Sequence, residues 1–86
     1  LKAQPLKGFK ILLVDDSEDN RRFVTRLLER RGAQIVEASN GLEAVDKGTQ
    51  QSFDTILMDV QMPFMDGYEA TRTLRKNGNQ TPIIAL

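Results

Sequence analysis

Short apolar runs alternate along this chain with stretches of helical periodicity. Ile11, Leu12, Leu13 and Val14 follow one another without a polar break and end on Asp15-Asp16. Four apolar residues in a row suit a strand buried on both faces, as in a parallel sheet. Ser17 then stands as a helix N-cap, with Glu18 and Asp19 in the first turn, where a helix end favours anions. Phe23, Val24, Leu27 and Leu28 recur at helical spacing, and Gly32 is a natural stop. Gln34–Ala38 reads as a short second strand. After Asn40-Gly41, the residues Leu42, Ala44 and Val45 begin a weaker helix that Gly48 is expected to shorten. Thr55–Met58 is a third buried strand, and it too ends on an aspartate, Asp59. A loop with Pro63 and Gly67 leads to a helix over residues 68–76, with Tyr68, Thr71 and Leu74 on one face, closed by Asn77-Gly78-Asn79. Pro82-Ile83-Ile84-Ala85-Leu86 opens a fourth strand, with proline at the position a strand tolerates best.

The order βαβαβαβ predicts an α/β fold: a parallel sheet with right-handed crossovers, covered on both faces. In such sheets ligands sit beyond the carboxyl ends of the strands. The first and third strands both deliver aspartates to that edge. Three carboxylates held close together repel one another unless they share protons or bind a cation. A donor set of oxygens alone selects a hard ion, Mg2+ before Zn2+. Such an ion would also let one carboxylate accept a phosphoryl group by neutralising charge on both partners. Taken singly, Asp15-Asp16 could be a helix cap with a solvated neighbour, and Asp59 a turn residue. The pairing of the two strand ends favours a site.

Composition narrows the field further. At 86 residues the chain is one domain or less. Its 12 basic and 12 acidic residues cancel, which argues against general electrostatic affinity for nucleic acid or an anionic membrane. No apolar run approaches the ~20 residues that span a bilayer. Without cysteine there are no disulfides or thiolate metal sites, in keeping with a reducing compartment. Without histidine, imidazole chemistry must come from a partner. The chain starts at Leu1 and carries no signal-peptide pattern, so it is expected to be a piece of something longer.

The motifs fall in a specific order: Ile11-Leu12-Leu13-Val14-Asp15-Asp16-Ser17, Asn40-Gly41 with Glu43-Ala44, the run from Met58-Asp59 through Met62-Pro63 and Asp66-Gly67 to Thr71, and Pro82 to Leu86. Together they resemble the receiver domain of two-component response regulators, and the stretch from Gln61 to Thr71 is most similar to receivers fused to hybrid sensor histidine kinases. The resemblance covers residues 9–86, with residues 1–8 as a linker. It implies a flavodoxin-like, doubly wound parallel sheet in the order 2-1-3-4. It implies Asp59 as the phospho-acceptor, with Mg2+ held by the Asp16 and Asp59 side chains, by the Gln61 backbone carbonyl, and by Asp15 directly or through water. The phosphodonor would be a phosphohistidine on a histidine kinase or a phosphotransfer domain. The domain would act in the cytoplasm as a signalling module, not an enzyme, whatever membrane anchor its parent carries. Receivers also place a Ser or Thr past strand four and a Lys at the end of strand five. The chain stops before either, so the receiver is expected to be C-terminally incomplete and truncated after strand four. Lys2, Lys7, Lys10, Lys47 and Lys76 do not match the lysine position.

Other features have plainer readings. Arg21, Arg22, Arg26, Arg30 and Arg31 make the first helix basic, most simply as a solvated face opposite Phe23 and Leu27, or else as a docking surface. Met58 reads as core, and Met62 and Met65 as loop residues. Pro63 and Gly67 would shape the loop that aims the Gln61 carbonyl. A nucleotide-binding half-domain would need a glycine-rich first turn, and Asp15-Asp16-Ser17-Glu18-Asp19 would repel phosphate. An aspartyl phosphatase of the haloacid dehalogenase type would need an acid two residues past its nucleophile, where Gln61 stands. The remaining alternative is a degenerate or truncated receiver that serves only as a protein-interaction module. The apolar, uncharged fourth strand is an edge that could recruit a second copy.

Overall fold

A computed structural model describes residues 4–86; residues 1–3 of the expected linker lie outside the described residues. The apolar run forms β1 (Lys10–Val14), which is central because its residues are buried on both faces from Ile11 to Val14. The remaining elements follow the expected alternation: α1 (Glu18–Glu29), β2 (Gln34–Ala38), α2 (Gly41–Gln50), β3 (Thr55–Met58), α3 (Gly67–Lys76) and β4 (Ile83–Ala85). All strand pairs are parallel, and the sheet runs β2-β1-β3-β4.

The register carries functional weight. Val14 pairs with Ala38 on one side and Met58 on the other. Asp15 and Asp59 each follow a member of the Val14–Met58 pair, so both leave the sheet at the same level. The ladder extends one step past the strands, with the Asp15 amide donating to the Ala38 carbonyl (3.1 Å) and the Asp59 amide to the Val14 carbonyl (2.9 Å).

The two faces of the sheet are covered unequally. Leu12, Val14, Ile56 and Met58 pack with Ala44 of α2 and Ala70 and Leu74 of α3 to form the main core. The burying face of α3 is therefore Gly67, Ala70 and Leu74, whereas Tyr68 is 62% exposed. Tyr68 and Thr71 instead line a groove of about 320 Å³ with Val60, Arg72, Ile83 and Ala85. On the opposite face, α1 lies over β1 and β2 without burying a residue completely. Val24 and Leu28 are half-buried, while Phe23 and Leu27 are 69% and 39% exposed.

Gly48 does not end α2, which runs two residues further to Gln50. It is buried, and a Cβ there would lie 3.1 Å from Leu74 Cδ2. The glycine serves the contact between α2 and α3 instead of a helix stop. Gly32 closes α1 as expected, at φ +99°, and a Cβ would meet the Lys7 backbone at 2.9 Å. Residues 4–9 dock against this corner: the Leu6 amide donates to the Arg31 carbonyl (2.9 Å), and Gln34 donates to Phe9 (2.8 Å). Among the described residues no helix is long and apolar enough to cross a membrane.

Candidate functional site

Asp15, Asp16 and Asp59 meet at the carboxyl edge of β1 and β3, with one oxygen of each carboxylate within 4.8 Å of the others. Asp15 is buried at 8% exposure, Asp59 is intermediate and Asp16 is exposed. Each is held differently. Asp15 Oδ1 accepts from the Ser17 amide (2.9 Å), a local turn that orients its carboxylate before α1 begins. Ser17 itself caps α1, its hydroxyl accepting from the Asn20 amide at 3.2 Å. Asp59 Oδ1 accepts from the Gln61 amide (3.0 Å), the same turn at the end of β3.

Gly67 lets the loop after β3 close behind this site. A Cβ on Gly67 would stand 2.3 Å from the Asp59 carbonyl oxygen and 2.8 Å from Val60 Cα. Its amide donates to the Val60 carbonyl (3.3 Å), and Asp66 caps α3 by accepting from the Glu69 amide (2.9 Å). Phe64, at the exposed tip, takes the left-handed backbone conformation at φ +70°. The loop is tied to α2 as well, because the Gly41 amide donates to the Met65 carbonyl (3.0 Å). Met58 is core, and Met62 and Met65 pack partly buried against it.

The donor set suits a hard divalent cation. It offers carboxylate oxygens alone, and two oxygens on opposite sides of Mg2+ stand about 4.2 Å apart at about 2.1 Å each. The observed spread is close to what one ion can draw together. The groove beside α3 is a separate feature, lined by none of the three aspartates. Asp54 is remote from the site, at the start of β3, where its Oδ2 accepts from the Lys10 amide (2.8 Å).

One contributor was hidden in the arginine count. Arg21 is not part of a solvated face: its side chain is 15% exposed, Nη1 donates to the Asp15 carbonyl (2.7 Å), and Nε donates to Glu37 Oε1 (3.1 Å). Arg22 does match the expectation, in an exposed pair with Glu18 (3.0 Å). The distinguishing signal is spacing, since Arg21 shares a helical stripe with Val24 and Leu28 at i+3 and i+7.

Comparison with known proteins converges on one family. The family model for the response regulator receiver domain matches residues 11–86. The sensor protein GacS of Pseudomonas syringae pv. syringae is 44% identical over 82 residues, covering 90% of this chain and 9% of that protein. The transcriptional regulatory protein ResD of Bacillus subtilis is 47% identical over 77 residues, covering 90% of this chain and 32% of that one. The chain thus spans less than a third of the length of these relatives. Among solved structures, the receiver domain of the sensor histidine kinase PA1611 from Pseudomonas aeruginosa superposes with a TM-score of 0.86 at 40% identity, covering 91% of this chain and 66% of that one. That structure has a magnesium ion coordinated in its active-site cleft.

Proposed function

The chain belongs to the response regulator receiver domain family, and on that premise we propose that it accepts a phosphoryl group on Asp59 in a Mg2+-dependent step of a His-Asp phosphorelay. The observation that carries this reading is the meeting of Asp15, Asp16 and Asp59 within 4.8 Å at one sheet edge. Asp15, Asp16, Asp59 and the Gln61 backbone carbonyl would hold the ion. Bound Mg2+ supplies charge neutralisation between the carboxylates and the phosphoryl oxygens.

The chain's own residues do the rest. The Gln61 amide fixes the Asp59 carboxylate, and the Ser17 amide fixes that of Asp15. An Asp59 oxygen forms the new P–O bond as the P–N bond of the donor breaks. The bonding pair stays on the ring nitrogen, and a ring protonated at its other nitrogen leaves as neutral imidazole. The donor ring belongs to a histidine kinase or phosphotransfer partner on the cytoplasmic side, since this chain has no histidine. Turnover of a bound substrate is not part of this role.

Radiolabelled phosphotransfer from a phosphohistidine donor tests the main reading. Asp59→Asn should abolish base-labile incorporation, while Asp54→Asn should leave it unchanged. Incorporation at the wild-type level in Asp59→Asn would overturn the assignment.

A further inference from the structure

The Asp15 carbonyl is the first past the end of β1, and Arg21 Nη1 reaches back from α1 to donate to it at 2.7 Å. The same guanidinium donates through Nε to Glu37 of β2 at 3.1 Å. Glu37 lies beside Leu13 in the register, so Arg21 spans β1, α1 and β2 at the level of the acidic site. The guanidinium is planar and its donors are fixed relative to one another, so two acceptors in two segments set its position together.

We propose that Arg21 is a positioning residue for the cation site. The peptide unit is planar, so the Asp15 carbonyl and the Asp16 amide turn as one body. Clamping that carbonyl fixes the plane joining Asp15 to Asp16, and with it the angle between two of the three carboxylates. A binding constellation must be held to within about 0.5 Å and 10–20° to work. Asp16 is exposed, so the backbone beneath it carries much of that burden. The inference rests on the reading that the three aspartates bind Mg2+.

Charge and geometry act in opposite directions here, which makes the proposal separable. As a charge, Arg21 repels a divalent cation, and removing it should tighten binding. As a clamp, its loss should weaken binding. The experiment is a titration with Mg2+ alone, followed through the amide shifts of Asp16 and Gln61 in the wild-type chain, Arg21→Lys and Arg21→Met, with melts in EDTA alongside. Both variants should bind Mg2+ about 10- to 100-fold more weakly, the usual cost of losing a group that orients a ligand. The lysine variant keeps the charge and loses the fork, so it decides alone if Arg21→Met fails to fold. Wild-type affinity in Arg21→Lys, or tighter binding in Arg21→Met, would overturn the clamp. Lower melting temperatures with unchanged Mg2+ affinity would overturn it too, leaving Arg21 a merely structural role. A wild-type chain that shows no Mg2+ response refutes the cation site itself, a different result from any of these.

Discussion

Asp16 is the exposed member of the three carboxylates, so its substitution disturbs packing least and electrostatics most. A ligand that binds only the folded state raises stability by mass action, by about 2.7 kcal/mol at a hundredfold excess over its dissociation constant. Wild-type chain should therefore melt higher in saturating Mg2+ than in EDTA. Asp16→Ala should lose most of that gap and melt higher than wild type in EDTA, since it relieves carboxylate repulsion. Paired thermal melts check both halves, and an undiminished gap in the variant would remove Asp16 from the site. The meeting of Asp15, Asp16 and Asp59 was legible in the sequence because Asp15 and Asp59 directly follow buried strands and Asp16 comes next after Asp15, and strand ends are where such sheets place their chemistry. Arg21 was not, because a count of charges groups it with Arg22 and Arg26, while its helical stripe sets it with Val24 and Leu28. The Gln61 amide contact was hidden for another reason: it depends on backbone direction after β3, which no side chain announces.

The connections between elements are as constrained as the strands. Gly67 lies where β3 turns into α3 against the backbone of Asp59 and Val60, and Gly67→Ala should cost about 2 kcal/mol or more in denaturant unfolding. The same substitution should slow phosphorylation, because the methyl group must displace the Asp59 carbonyl. The start of α2 is built differently. Asn40 Oδ1 accepts from the Glu43 amide (2.8 Å), while Glu43 accepts from the Ser39 amide (3.0 Å) and hydroxyl (2.9 Å). Those bonds from Ser39 hold the Glu43 carboxyl below its ordinary pKa. A depressed carboxyl stabilises the fold above its unfolded pKa, near 4.5, and that contribution is lost as pH falls through the lower folded value. Glu43→Gln should accordingly be less stable than wild type at pH 7, with the difference closing below about pH 4.5 in melts across the acid range. Strands, the Ser17 cap and element order could be read from the chain, since they are set by neighbours in sequence, whereas the Asn40 and Asp66 caps were not singled out. The passage of α2 through Gly48 and the burying face of α3 could not, because both depend on how closely α2 and α3 approach around Leu74.

At the scale of the molecule, the described strands all run the same way in the order β2-β1-β3-β4. This parallel arrangement also sorts charge. Every helix begins at the edge where the aspartates gather, with Glu18, Asp19, Glu43 and Glu69 in the first turns, and ends at the far edge with Arg26, Lys47, Arg75 and Lys76 in the last turns. A chain of zero net charge thus carries opposite charge at the two ends of its strands, negative at the edge where Asp15, Asp16 and Asp59 gather. It turns in the field of a charged partner before contact, so encounter can be steered and sensitive to ionic strength without any overall attraction. If Mg2+ binds at that pole the moment shrinks, and an added phosphoryl group enlarges it again, so the steering of encounter would follow the state of the relay.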